Sequence, residues 1–190
     1  MRNLAATWPN AVVTYRPSNM VLHVHSDASY LSENEARSRA GGYHFLGEFD
    51  HLADLPPNGS IENVSTIIDV VCSNAMEAKA AAIFINAQKA VVTCHTLADL
   101  GYPQSETSIV SDNLVGVNIL TGKLPPKRAR SMDMRFYWIK DRIKQGQFRL
   151  LWLSGKVNLA DYLTKTHPLT HYRKMRSTYV TNNFQRPTQS

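Results

Sequence analysis

Cysteine is scarce in this sequence of 190 residues, and long apolar runs are missing from it. The two cysteines, Cys72 and Cys94, are too few for a disulfide framework and lack the spacing of zinc ligands. No stretch is apolar enough to span a bilayer, and residues 1–17 lack the apolar core of a signal peptide. These absences argue against a disulfide-rich secreted protein and an integral membrane protein. They favour an intracellular protein, of cytoplasm or nucleus, with no membrane partner.

Acidic residues are scarce in the last third of the chain. Residues 123–190 hold fifteen Lys or Arg and three Asp or Glu, a net charge of +12. Residues 1–122 hold six basic and twelve acidic residues, a net charge of −6. This division predicts a polyanion partner for the basic part and cations for the acidic part. Taken alone, the charges slightly favour the alternative of solvated surface residues.

Apolar patterning predicts one α/β domain, since hydrophobic residues make up 43% of the chain. Three strands that can pair antiparallel are followed by strands that alternate with helices, which indicates a mixed sheet packed by helices. The predicted strands are 21–27, 43–47, 66–72, 108–112 and 148–153, with a loop over 28–39. The predicted helices are 74–101, 113–120, 133–145 and 158–165, the last resuming after Pro168.

The two ends of the chain lack the apolar patterning of this domain. Residues 1–19 are polar, are broken by Pro9 and Pro17, and look like the end of a longer upstream segment. Residues 177–190 are polar and are expected to be disordered. The predicted domain therefore covers residues 20–176.

Four acidic residues lie at the ends of predicted elements: Asp27 and Asp112 end strands, and Glu77 and Asp161 lie in first turns of helices. Carboxylates gathered in this way can bind divalent cations, and two Mg²⁺ ions about 4 Å apart can clamp a phosphodiester. Each residue also has a structural interpretation. Asp27 can terminate its strand in an Asx-turn, and the other three can cap helices.

Five motifs together resemble the ribonuclease H domain of Ty1/copia-type retrotransposon polyproteins. They are, in chain order, His25–Ser29 (HSDAS), Arg39–Tyr43 (RAGGY), Ser111–Asn113 (SDN), Met132–Phe136 (MDMRF) and Leu159–Lys165 (LADYLTK). The resemblance implies a ribonuclease H fold over residues 20–176, with a five-stranded sheet whose first three strands are antiparallel. It also implies an upstream polyprotein, so that a reverse transcriptase segment is an expected partner and a truncated reading frame or relic is a possible origin.

The implied activity is hydrolysis of the RNA strand of RNA–DNA hybrids by two Mg²⁺ ions, with Mn²⁺ as an alternative. Asp27, Asp112 and Asp161 match three of the four metal-binding carboxylates of the family. Nucleic acid would be recognised by its 2′-hydroxyls and its shape. The basic residues expected to follow the phosphates are Lys123, Lys127, Arg128, Arg130, Arg135, Lys140, Arg142 and Lys144.

The fourth carboxylate can be aligned in two ways, to Glu77 or to the position that Lys79 holds. At about 100° per residue, position 79 lies about 40° from the sheet-facing Ile83, whereas position 77 lies about 120° from it. Helix geometry therefore favours Lys79 at the catalytic position, beside Asp27 and Asp112, and Glu77 as a capping residue.

Two principal functions follow from this ambiguity. The first is a hybrid-specific nuclease that uses Asp27, Glu77, Asp112 and Asp161. The second is a degenerate domain in which Lys79 opposes Mg²⁺, so that the fold is kept and at most nucleic acid is bound. A different nuclease or transposase of the same fold is a third reading, which the LADYLTK motif argues against. His167 and His171 are expected to be surface residues, with an auxiliary role in product release as a lesser alternative.

Overall fold

The computed structural model describes residues 10–48, 58–124 and 134–182. The strands in these ranges are β1 (Ala11–Val12), β2 (Val21–Glu33), β3 (Arg37–Gly47), β4 (Ser60–Ile67), β5 (Thr107–Ser111), β6 (Phe148–Trp152) and β7 (Thr181–Asn182). The helices are α1 (Ala75–Asp99), α2 (Leu114–Leu120), α3 (Met134–Lys144), α4 (Asp161–Thr164) and α5 (Leu169–Tyr179).

A five-stranded mixed sheet forms the centre of the protein, in the order β4-β3-β2-β5-β6. Strands β2, β3 and β4 pair antiparallel, whereas β5 is parallel to both β2 and β6. The predicted fold class is thereby confirmed, including the three antiparallel strands that lead the sheet. The observed β5, β6, α2 and α3 agree with the predicted elements to within one or two residues.

The first hairpin is longer than predicted, and the expectation of a loop over 28–39 is wrong. Strand β2 continues to Glu33 and β3 begins at Arg37, with a single 3₁₀ turn between them. Arg39 donates to both carboxylate oxygens of Glu33, from Nε at 2.7 Å and from Nη2 at 3.1 Å. Polar residues that suggested a loop therefore pair across the hairpin, where it extends beyond the packed core.

The third strand was also placed wrongly, since β4 covers Ser60–Ile67 and not residues 66–72. It is an edge strand in which Val64 alone is fully buried. The apolar run that suggested a central strand leaves the sheet, so that Ile68 and Cys72 are buried whereas Val71 is 69% exposed. A run of β-branched residues does not distinguish a buried strand from irregular chain that covers the core.

Helix α1 packs across β2, β3 and β5 with a face of small residues. The fully buried alanines Ala78, Ala82, Ala87 and Ala90 bring the helix close to the sheet, and Ile83 fills the core between them. Ile83 therefore lies on the buried, sheet-facing side of α1, as expected.

Two adjacent glycines let elements approach β3 from both faces. A Cβ on Gly42 would lie 1.8 Å from Oδ1 of Asn86, a buried residue of α1. A Cβ on Gly41 would lie 2.7 Å from the carbonyl oxygen of Ala160, at the start of α4. Gly41 is paired with Asp27 across the β2–β3 ladder. The glycine pair thus brings α4 next to the strand that carries Asp27.

Near its ends, the described chain has structure that was not anticipated. Strand β1 pairs antiparallel with β7, with Ala11 opposite Asn182. Helix α5 extends to Tyr179, past the predicted domain limit at residue 176. Across the three described ranges, none of the helices combines the length and the apolar character that crossing a membrane requires.

Candidate active site

The sheet places two of the predicted carboxylates side by side. Asp27 lies on the central strand β2 and is 5% exposed, while Asp112 directly follows β5. Because β2 and β5 are parallel and paired, with His25 opposite Val110, both carboxylates lie at the same edge of the sheet. Trp152, the last residue of β6, donates from Nε1 to the backbone oxygen of Asp112 at 3.0 Å.

The side chain of Lys79 joins these two carboxylates. Its Nζ lies 3.3 Å from Oδ1 of Asp27 and forms a hydrogen bond and ion pair with Oδ1 of Asp112. The three side chains are 20%, 6% and 25% exposed for Lys79, Asp27 and Asp112, so the pairs are well shielded from water. The expectation that Asp27 ends its strand is wrong, because β2 continues to Glu33. An ammonium group occupies the space between the carboxylates of Asp27 and Asp112.

The two buried charges shift each other's titration. Burial raises the pKa of Asp27 above its usual value, and the attraction of Lys79 opposes that rise without cancelling it. Burial lowers the pKa of Lys79, but hydrogen bonding to Asp112 and attraction to both carboxylates outweigh it, and the net pKa is raised. Lys79 consequently remains an ammonium at neutral pH.

Glu77 does not join the carboxylates but caps the helix. Its backbone N donates to Oδ1 of Asn74 at 2.9 Å, and its Oε2 accepts from the backbone N of Ser73 at 2.8 Å. This reciprocal arrangement satisfies free N–H groups at the start of α1. The side chain is held at the helix N-terminus by these bonds, about 200° around the helix from Lys79.

The third predicted carboxylate, Asp161, approaches from the other side through α4. Thr164 is fully buried, and its Oγ1 contacts Oδ2 of Asp27 at 3.3 Å and the backbone oxygen of Asp161 at 2.9 Å. The negative charge of Asp161 contributes a small part of the raised pKa of Asp27. Lys165 Nζ binds Oδ1 of Asp161 at 2.7 Å, as an i,i+4 pair on the surface.

The side chains of Asn158 and His25 hold α4 in place, although the sequence analysis gave neither of them a role in the site. The buried Asn158 donates to the backbone oxygen of Ser26 at 3.0 Å, and Nδ1 of His25 accepts from Leu159 N at 3.1 Å. Burial, and next the charge of His23, lower the pKa of His25 to about 4, so the ring is neutral and Nδ1 can accept. The predicted helix over 158–165 begins later than expected, because α4 starts at Asp161 after Ala160.

The basic residues are only partly described. Lys127, Arg128 and Arg130 lie outside the described residues. Lys123 is exposed after α2, and the other four lie on α3: Arg135, Lys140, Arg142 and Lys144. Arg142 is held over the ring of Trp138 at 5.0 Å, and Lys140 lies 5.8 Å from the ring centre of Phe136. These cations cover aromatic side chains while presenting positive charge along α3.

The donor set differs from the one that two Mg²⁺ ions require. Three carboxylates surround the sheet edge, but the ammonium of Lys79 contacts two of them and repels a cation. Oδ1 of Asp27 is buried and accepts no hydrogen bond, although it lies near that ammonium. The residues as placed therefore suit a bound cationic side chain and do not fit a two-ion magnesium centre.

Strand order, helix placement and the strand-end carboxylates define a ribonuclease H-like fold. In structure, the protein is similar to LC11-RNase H1 from compost, with a TM-score of 0.56 and 14% identity over 76% of this chain and 93% of that one. The same protein in complex with an RNA/DNA hybrid matches with a TM-score of 0.52 and 13% identity, covering 75% and 93% of the two chains.

In sequence, the relatives are retrovirus-related Pol polyproteins of transposons. The chain is 23% identical over 151 residues to that of transposon TNT 1-94 from Nicotiana tabacum, covering 80% of this chain. It is 20% identical over 166 residues to that of transposon RE2 from Arabidopsis thaliana, covering 87% of this chain. The chain spans only 11% of the length of each of these relatives. No protein-family model matches the sequence.

Proposed function

We propose that this protein is a ribonuclease H-like domain of a Ty1/copia-type retroelement that binds RNA–DNA hybrids but does not cleave them at an appreciable rate. The observation that carries the proposal is the position of Lys79, whose ammonium contacts Asp27 and Asp112 together. Those two carboxylates lie where the resemblance assigns metal ligands. A domain that has lost catalysis and keeps the fold therefore agrees better with this geometry than an active nuclease does.

The chemistry of the ammonium supports the loss of hydrolysis. A protonated amine offers no lone pair for coordination, cannot lower the pKa of a water molecule as a metal ion does, and repels Mg²⁺. It also neutralises carboxylates that would otherwise repel each other. The raised pKa of Lys79 keeps this charge in place at neutral pH. The site is therefore stable without a metal ion.

The proposed ligand follows from charge and from the fold. Net charge of +12 over residues 123–190 favours a phosphate backbone. Lys123 and the α3 residues Arg135, Lys140 and Lys144 supply described cations, with Lys127, Arg128 and Arg130 nearby in sequence. The structural neighbour that is bound to an RNA/DNA hybrid supports this duplex as the ligand to test first. A reverse transcriptase segment of the parent polyprotein is the proposed protein partner.

The second candidate is an active nuclease that uses Mg²⁺ or Mn²⁺, in which Asp27, Asp112 and Asp161 act as metal ligands with Glu77. The retention of three carboxylates at one sheet edge favours the active nuclease. Nuclease activity would require the side chain of Lys79 to leave both carboxylates and that of Glu77 to leave its capping bonds. The binding-only function requires neither change.

Cleavage of a labelled hybrid separates the two candidates. We expect the unaltered chain to retain the hybrid without Mg²⁺-dependent products, and Lys79→Glu to gain slow cleavage because it supplies the fourth carboxylate. Lys79→Glu combined with Asp112→Asn is the matched control and is expected to be inactive again. Mg²⁺-dependent cleavage by the unaltered chain, abolished by Asp112→Asn, would overturn the proposal.

Hybrid binding is tested separately by its salt dependence. Binding through about four phosphate contacts is expected to weaken with a logarithmic slope near −4 in salt concentration. Lys140→Gln and Lys144→Gln should each reduce that slope by about one, whereas Lys89→Gln on α1 should leave it unchanged. A salt-independent affinity, or no affinity at low salt, would contradict a role in nucleic-acid binding.

A further inference from the structure

One group of metal-ligating side chains contains two histidines that the proposed function does not use. Asp161, His167 and His171 each present a ligand atom, and these atoms all lie within 4.8 Å of one another. The expectation that both histidines are surface residues is wrong for His167, which is only 9% exposed. His171 and Asp161 are partly buried beside it.

The geometry points to a transition-metal site formed by Asp161, His167 and His171, of the class that binds Zn²⁺ or Co²⁺. Two imidazoles and one carboxylate suit such ions, whereas Mg²⁺ prefers oxygen ligands alone. The His-x₃-His spacing of residues 167 and 171 is found among structural zinc ligands. Three protein ligands would leave a further position for water or an anion.

The distances are compatible with one shared ion. Two ligands that each lie about 2.1 Å from an ion are at most about 4.2 Å apart. Nε2 of His167 lies 3.9 Å from Oδ2 of Asp161, within that limit. The rings of His167 and His171 are stacked, with centroids 4.2 Å apart and planes inclined by 20°, so their in-plane lone pairs run side by side. Binding one ion therefore requires the ring of the partly buried His171 to turn, and the widest pair of ligand atoms to close from 4.8 Å.

Neighbouring side chains hold these ligands in place. Tyr162 stacks on His167 at 5.9 Å, and the hydroxyl of Tyr172 accepts from the backbone N of His167 at 3.0 Å. Lys165 binds Oδ1 of Asp161, which turns Oδ2 towards His167. Nε2 of His167 donates to the backbone oxygen of Asp161 at 3.2 Å. Metal binding would exchange that bond and its proton for coordination.

This site is independent of the proposed function, because neither histidine contacts Lys79, Asp27 or Asp112 in any recorded bond within the described residues. Asp161 is the one residue that belongs to both. A variant of His171 therefore tests the metal site while leaving the Lys79 ion pairs unchanged. Lys165 offers a second test, since removing its positive charge should strengthen binding of a cation.

Titration of the full chain with Co²⁺, followed by its visible absorption and by competition with Zn²⁺, measures the site. We expect one ion per chain and a rise in Tm with Zn²⁺. Loss of an outer-shell partner already weakens metal binding about 10- to 100-fold, so His171→Ala and Asp161→Asn should each weaken it at least tenfold. Lys165→Gln should strengthen it severalfold.

His95→Ala, which changes an exposed histidine of α1, is the matched control and should bind like the unaltered chain. His167→Gln is assayed by its Co²⁺ spectrum and by its Tm together. If His167 had only an aromatic packing role, the substitution would lower the Tm, but neither protein would show a Tm that depends on metal. Absence of stoichiometric Co²⁺ and Zn²⁺ binding, or equal affinity in His171→Ala and the unaltered chain, overturns the inference.

Discussion

Two lysine–aspartate contacts flank the same sheet edge, and burial makes them unequal. Lys79 and Asp27 are 20% and 6% exposed and join helix α1 to the central strand. Lys165 and Asp161 are 48% and 32% exposed and belong to neighbouring turns of one short segment. Exposed pairs contribute little because water and salt screen them, whereas breaking a buried pair leaves an uncompensated charge. The Lys79–Asp27 pair therefore stabilises the closed side of the site, whereas the Lys165–Asp161 pair on the exposed side contributes little.

The largest effect on the free energy of unfolding is expected when α4 is separated from β2 and β3. Gly41→Ala would place a Cβ 2.7 Å from the backbone oxygen of Ala160 and 2.6 Å from Cγ2 of Thr164, so α4 must move away from β2. Overpacking of this kind should reduce the free energy of unfolding by about 3 kcal/mol. Urea denaturation measures it. Adding Thr164→Ser, which removes only Cγ2, should restore part of the loss; a tolerated Gly41→Ala would mean that α4 is not held against β3.

The next effect compares the two lysines directly. Lys79→Gln is expected to lower the free energy of unfolding by about 2–3 kcal/mol, because Asp27 and Asp112 are left facing each other without a cation. Lys165→Gln should change it by less than about 0.5 kcal/mol. Both values come from denaturation at pH 7 and low salt. Equal losses would refute the distinction between the closed and the exposed side.

Acid pH should weaken the connection between the sides. His25 accepts from Leu159 N, and its pKa is lowered from 6.5 to about 4, so the unfolded chain takes up a proton before the folded one does. The stability that His25 confers is present above pH 6.5 and is lost as the pH falls. The loss should reach about 2 kcal/mol at pH 5. The difference between the unaltered chain and His25→Gln, measured over pH 4–7.5, isolates this contribution from other groups.

The smallest effect concerns Asp27 itself. Because burial raises its pKa above 3.8, its ionised form opposes folding at neutral pH, and the fold gains stability as the pH falls towards 3.8. Asp27→Asn should therefore stabilise the protein at pH 7, while Lys79 keeps its bond to Asp112. The gain should shrink towards acid pH. A loss of stability at pH 7 would show that Lys79 more than compensates the burial of Asp27.

Much of the fold could be predicted because its signals are local. The apolar alternation of β2, the capping residues of α1 and the glycines that end helices each act within a few residues. The predictions failed where distant contacts decide the structure. Polar residues continue the β2–β3 hairpin because Glu33 and Arg39 meet across it, and the run Ile68–Val71 lies outside the sheet because β4 already ends at Ile67.

The site was predicted in part. The period of α1 sufficed to place Lys79 on the side of Ile83 and Glu77 away from it. No local pattern indicated that Asn158 and His25 would hold α4, because those bonds join residues more than a hundred positions apart. The proximity of His167 and His171 to Asp161 depends on the turn at Pro168, so their spacing alone gave no such indication. Burial of His167 likewise depends on its packing against Tyr162 and Tyr172.

Lys79 has a genetic consequence as well as an electrostatic one. The codons for lysine and glutamate differ in their first base only, so one nucleotide substitution exchanges the ammonium that joins Asp27 and Asp112 for a carboxylate. The sheet, the glycine pair and the bonds that hold α4 need no change for that exchange. A single nucleotide substitution thus separates the fold with its carboxylates neutralised from one with a fourth acid in place. The exchange can occur in either direction without further changes to the domain.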